Sequence, residues 1–237
     1  LTRRLHDTPA REEYEYLSVQ RFWNPAPAIW KEYAVGVHHV SFWKRCVVTG
    51  IDVVCSLPPL RRLMTDSDLV HLHFPLPLGL SVLMVRALVK RPLVVTVHGN
   101  ADVYELPRAL EPLTRAVLTR ADAVVSDSHD LAEYLRKDMS VPNVTVIPNG
   151  VDVDEFHPSH TPRAALTLFS ISRLVPRKNI HILIAAVEQL VKEGAALTLV
   201  IAGTGPEEER IKQLAQQLPG IVRFIGFIDE PRKRSLL

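Results

Sequence analysis

The chain has 237 residues, 47% of them hydrophobic and 23% charged, with a formal net charge of +2. That length suits two globular units, and the near-neutral balance argues against a dedicated nucleic-acid binder without excluding a local basic patch. Cys46 and Cys55 are the only cysteines, with no paired Cys/His spacing around them. This argues against a zinc or disulfide scaffold and fits a reduced, cytoplasmic setting.

The first sixteen residues are polar and charged and show no signal-peptide pattern. Residues 17–22 read as a short strand, and Asn24-Pro25-Ala26-Pro27 as an extended connector. From 29 to 55 the sequence is apolar and aromatic, and Trp30, Tyr33, Val37, Val40 and Phe42 suggest a helix. Pro58-Pro59 is expected to break it. Trp30, Phe42 and Trp43 are read as core residues. The longest apolar stretch, 72–85, is too short to span a membrane and contains Pro75 and Pro77.

From Asp68 onward, strands and helices alternate. Strands are expected at 68–73, 93–97, 123–126 and 144–147, with helices at 80–90 and 106–120 and another capped by Ser128 or Asp130. Asp130 and Glu133 have the spacing of a capping box. Pro148-Asn149-Gly150 is a turn by composition, and the Pro-rich, polar segment after it reads as an interdomain linker. Strands at 167–171, 197–202 and 221–224 then alternate with helices at 180–193 and 206–218. The spacing predicts α/β architecture with parallel strands and right-handed crossovers, doubly wound in both halves. The expected domains are 1–150 and 151–237. The missing initial Met and the helix-like ending PRKRSLL lead us to expect a segment of a longer polypeptide.

In open parallel sheets, ligands bind beyond the carboxyl ends of the strands. His71 and His73 lie two apart on one strand face, and His98 ends the next strand. Three histidines suggest a metal, but no Cys, Asp or Glu with ligand spacing supports it; hydrogen bonding to nearby backbone is the simpler expectation. In the second half, Arg173, Arg177 and Lys178 lie between a strand and a helix that Asn179 is expected to cap. Cations there oppose the positive end of the helix dipole unless an anion binds, and a phosphate would remove the conflict. A solvated basic loop is the alternative. Gly203-Thr204-Gly205-Pro206 opens the following helix, where glycines let backbone approach a ligand. Glu208 replaces the third glycine of a dinucleotide fingerprint, so this turn is weak evidence for such a site. There is no Gly-x-Ser-x-Gly elbow and no Walker phosphate loop.

Taken in order, DLVHLHFPLP, PLVVTVHGN, TRADAVVSDSHDLAEYL, VIPNGVDVDEFHP, ISRLVPRKNIHILIAAV, LVIAGTGPEEERIKQLA and VRFIGFIDE resemble the family-4 retaining glycosyltransferases. These have the GT-B architecture: two Rossmann-like doubly wound sheets facing a cleft. The resemblance implies transfer of a sugar from a nucleotide-sugar donor to a saccharide, lipid or small-molecule acceptor. By that resemblance Arg173 and Lys178 grip the donor diphosphate, and His98 faces the donor sugar. Gly203 and Gly205 line the donor side, and Phe227, Ile228 and Asp229 lie near the nucleotide base. Pro148-Asn149-Gly150 marks the crossing between domains, with an acceptor-side domain before it and a donor domain after it. No metal or other cofactor is implied, and the setting is cytoplasmic, with room for peripheral contact at the inner face of a membrane. Two departures stand out. Nothing before Asp68 matches the family's Gly-rich acceptor loop, and its Glu-x7-Glu motif has no counterpart here. Both domains are therefore expected to be incomplete and this stretch alone to be inactive. A non-catalytic nucleotide-binding module and a sugar-nucleotide epimerase of the same fold are the alternatives. An epimerase would need carboxylates near the sugar, for which Asp102 and Glu105 are the nearby candidates.

Overall fold

The computed structural model describes residues 2–3, 9–22, 42–99, 108–156 and 166–236. The Asn24–Pro27 connector, the stretch from Trp30 to Val40, Asp102, Glu105 and residues 157–165 lie outside them, as do the side chains of Phe42 and Trp43. The chain separates into two compact units, Leu1–Asn149 and Gly150–Leu237.

The first unit is centred on a four-stranded parallel sheet. Its strands β4 (Val70–His73), β5 (Leu93–Val97), β6 (Ala123–Ser126) and β7 (Val144–Val146) lie side by side in sequence order. Leu93, Val95 and Val97 are fully buried, as expected of an inner parallel strand. A smaller sheet has β3 (Leu17–Phe22) between β1 (Thr2–Arg3) and β2 (Arg11–Tyr14). β2 and β3 form an antiparallel hairpin, which the charged opening sequence did not announce. Its ladder holds an ion pair of Arg21 with Glu12 at 2.7 Å.

Helix α1 (Phe42–Thr65) continues through Pro58 and Pro59, correcting the expected break. Two prolines remove two backbone donors, but the surrounding packing holds the helix together. Leu60 and Met64 are buried in the core, and Ser56 Oγ donates to Ser81 Oγ at 2.7 Å in α2 (Leu78–Arg86). Arg91 closes the far end: Nε donates to the Met64 carbonyl at 3.1 Å and Nη2 to the Thr65 carbonyl at 2.8 Å. A 3-10 turn (Arg108–Leu110) leads into α3 (Glu111–Thr119). At α4 (His129–Lys137) Ser128 is the cap, its Oγ accepting from the Leu131 amide at 3.4 Å. The Asp130/Glu133 capping box is therefore not the helix's start; Glu133 pairs with Lys137 one turn on.

The second unit has a three-stranded parallel sheet in the order β10-β9-β8, from β8 (Leu166–Ile171), β9 (Leu197–Ala202) and β10 (Val222–Gly226). Helices α5 (Ile180–Lys192) and α6 (Glu208–Ala215) pack onto it through Ile180, Ile184, Val187, Ile211 and Ala215. The linker expectation changes at residues 152–156, which form a folded turn. Asp152 Oδ1 accepts from the Asp154 amide at 2.9 Å, and the Phe156 amide donates to the Asp152 carbonyl at 2.9 Å. This turn meets the last helix, α7 (Glu230–Leu236): Lys233 Nζ sits 5.0 Å from the centre of the Phe156 ring, and Arg234 pairs with Glu155 at 3.3 Å. Among the described residues, no helix is long and apolar enough to cross a membrane.

Candidate functional site

In the first unit, parallel pairing of β4 with β5 sets His73 opposite Thr96, two residues before His98. The histidines expected at these strand ends do come together. His71 Nε2 lies 2.8 Å from Thr96 Oγ1, and His73 Nδ1 lies 2.7 Å from His98 Nε2. Phe74 follows His73 in the left-handed region at φ 71°, rare for a bulky residue, with its ring 5.0 Å from that of His98. Partial burial, then the nearby His71 and His98, hold the His73 imidazole below the ordinary histidine value. Among the described residues, no group of three or more His, Cys, Asp or Glu is placed to hold a metal ion.

In the second unit, the basic loop after β8 is anchored by buried residues. Leu174 is fully buried and Val175 nearly so, while Arg173, Arg177 and Lys178 are exposed. Pro176–Lys178 form a 3-10 turn, and Asn179 follows in the left-handed region at φ 51°. Asn179 makes no side-chain cap bond to α5, correcting the expected role. Its left-handed backbone is the junction between the two helical turns, and its carbonyl accepts from the Ile182 amide at 2.9 Å.

The glycine turn after β9 lies directly against this loop. The Leu174 amide donates to the Thr204 carbonyl at 2.9 Å, and the Leu174 carbonyl accepts from the Glu207 amide at 3.0 Å. A Cβ on Gly203, whose φ is +124°, would stand 1.9 Å from the Ser172 carbonyl oxygen. One on Gly205 would stand 2.3 Å from that of Leu174. Both glycines thus admit the neighbouring loop's backbone, a reason that sequence spacing does not reveal. Gly203 also donates to the Gly226 carbonyl at 2.7 Å, joining the end of β10 to the same edge.

Beyond β10, Phe227 is 80% exposed. With Ile225, Ile228, Asp229 and Arg232 it lines an open groove of about 520 Å³. Asp229 is engaged locally: its Oδ1 accepts from the Arg232 amide at 2.9 Å and caps α7. Sequence reading missed Leu174, the buried anchor between the two cationic positions, and the His73–His98 pairing. The only sequence signal for the latter is that both residues end adjacent strands.

The family model Glycosyltransferase Family 4 matches residues 3–155, and Glycosyl transferases group 1 matches residues 152–237. The phosphatidyl-myo-inositol mannosyltransferase of Mycolicibacterium smegmatis is 29% identical over 177 residues, covering 73% of this chain and 45% of that protein. A GDP-mannose-dependent alpha-(1-6)-phosphatidylinositol monomannoside mannosyltransferase of Mycobacterium tuberculosis is 28% identical over 189 residues, covering 71% and 47%. The chain spans about half the length of the curated relatives it matches. Among solved structures, Anabaena HepE in complex with UDP aligns with a TM-score of 0.62 at 21% identity, over 73% of this chain and 51% of that one. S. aureus TarM, solved with fondaparinux, alpha-GlcNAc-glycerol and UDP, aligns at 0.61 and 20% identity, over 77% and 38%. The likeness shows the fold: Rossmann-like α/β units of the GT-B class.

Proposed function

The chain belongs to Glycosyltransferase Family 4, and from that premise we propose that it forms part of a retaining glycosyltransferase using a nucleoside-diphosphate-sugar donor. The acceptor is a saccharide, a lipid or a small molecule. One observation carries the reading: the basic loop and the glycine turn are bonded together at the carboxyl ends of β8 and β9. This is the edge of a parallel sheet where ligands collect, and α5 directs its N-terminus there.

As the glycosidic bond breaks, negative charge gathers on the departing diphosphate. Arg173 and Lys178 are the residues to receive it, beside the dipole of α5, so the leaving group needs no metal ion. Gly203 and Gly205 line the donor side, and Phe227, Ile228 and Asp229 border the base. His98 orients and polarises the donor sugar rather than attacking it. Attack from the face the leaving group departs retains the anomeric configuration. Contact with the inner face of a membrane belongs to the same proposal, since one relative is named for a phosphatidyl-myo-inositol acceptor.

Calorimetric titration of UDP and GDP into the full-length enzyme tests the reading. Arg173→Ala and Lys178→Ala should each weaken nucleoside-diphosphate binding by about 1.5–3 kcal/mol, the range for hydrogen bonds to charged groups. Unchanged binding by the double variant would refute the assignment of the basic loop.

A further inference from the structure

We propose that His73 is a positioning residue for His98: it engages one nitrogen of the His98 ring and thereby fixes which tautomer His98 presents to the donor sugar. The inference rests on the reading above that His98 faces that sugar.

His73 Nδ1 lies 2.7 Å from His98 Nε2. The ring planes are within 14° of parallel and the ring centres are 5.0 Å apart. That separation fits two imidazoles meeting edge to edge through one N–H···N bond, not one ring lying over the other. Only one proton fits between the two nitrogens. Two protons would set N–H against N–H, and none would set lone pair against lone pair. Free histidine prefers its proton on Nε2. If His98 Nε2–H donates to His73 Nδ1, both rings carry their protons on Nε2, and the bond forms at no tautomeric cost. His98 Nδ1 is then an acceptor, suited to a sugar hydroxyl.

The surroundings favour a neutral His73 that accepts this bond. Among the described residues, the titratable groups facing it are His71 on its own strand and His98 directly after β5. Both oppose a charge on His73, as does its partial burial. His71 is bonded to Thr96 Oγ1 at 2.8 Å. Phe74 bounds His98 on another side, with its amide donating to the Thr96 carbonyl at 3.1 Å. Both strands therefore hold the pair in register before any ligand arrives.

Imidazole ¹⁵N NMR of the full-length enzyme, combined with its hydrolysis of UDP-glucose and GDP-mannose, tests the proposal. The wild-type His98 should show a proton on Nε2 in a hydrogen bond to His73, and His73→Leu should abolish that bond. His73→Leu should lower kcat for donor hydrolysis about 10-fold with little change in KM, as is typical for residues that orient a working group. His73→Asn, whose Oδ1 stands near the position of Nδ1, should restore most of the loss. In a His98→Ala background, His73→Leu should have no further effect. A His98 proton on Nδ1, or an equal loss from His73→Leu in that background, would overturn the proposal. A His98→Ala variant that hydrolyses donor at the wild-type rate overturns the reading of the site instead, and the positioning role falls with it. The NMR measurement needs no donor and decides the tautomer even if His73→Leu fails to fold.

Discussion

The Leu174 amide donates to the Thr204 carbonyl at 2.9 Å, so the basic loop and the glycine turn are one piece of backbone architecture. Substitutions on one side should therefore disturb the other. Gly203 and Gly194 both have positive φ, at +124° and +92°, but only at Gly203 would a Cβ meet backbone, the Ser172 oxygen at 1.9 Å. Gly194→Ala should cost only the left-handed strain, about 1 kcal/mol, whereas Gly203→Ala should cost roughly 2–4 kcal/mol and also weaken UDP binding. Urea denaturation of both variants checks this, and equal losses would contradict the packing account.

Metal removal supplies a second prediction. With Arg173 and Lys178 taking up the charge of the leaving group, hydrolysis of UDP-glucose or GDP-mannose by the full-length enzyme should persist in excess chelator. Activity lost on chelation and regained only with a divalent ion would refute the metal-independent reading. Binding of UDP should fall as salt rises from low to physiological strength, because both cations are exposed.

Arg86 joins α2 to the segments that lead into the amino ends of β5 and β6, the inner strands of the first sheet. Its Nε donates to the Arg91 carbonyl at 2.9 Å and Nη1 to the Arg120 carbonyl at 2.6 Å, while Nη2 pairs with Asp122. Asp122 also accepts from the Leu93 amide at 2.7 Å, and that bond, followed by Arg86, holds its carboxyl below the ordinary range. Arg86→Ala should cost about 1–3 kcal/mol by stranding the two carbonyls, with nucleotide binding unchanged. Arg86→Lys should recover little, since an ammonium cannot reproduce the planar fork.

The depressed His73 pKa gives stability a pH dependence. Below the ordinary value of 6.5 the unfolded chain binds a proton that folded His73 resists. The contribution of neutral His73 is therefore present above that value. It is lost as pH falls through 6.5 towards the lower folded pKa. Replacing His73 with Asn should flatten the fall in Tm over that window. An unchanged slope would show that other groups govern it.

The buried strands were the most legible elements. Leu93–Val97 and Ala123–Ser126 stand where their compact apolar runs placed them, because an inner parallel strand leaves little choice of residue. The Arg11–Tyr14 strand was hidden because its stability comes from pairing with Leu17–Phe22, not from an apolar face. α1 crosses Pro58-Pro59 because residues distant in sequence, Ser81 and Arg91, support it. The ordered motifs pointed to His98 in the first unit and to the basic loop in the second. The partner of His98 was not legible as such, since His73 meets it only through the register of β4 on β5.

The contacts of Glu155 with Arg234 and of Phe156 with Lys233 fasten the opening of the second unit to its last helix. The two contacts close the stretch from Glu155 to Arg234 into a loop of chain. A pull on residues 152–156 is shared by α7, and a cut before Lys233 releases both. The fastening also takes those five residues out of the slack available to the chain that leads into the second unit. The turn keeps its own shape through Asp152, whose Oδ1 accepts from the Asp154 amide at 2.9 Å.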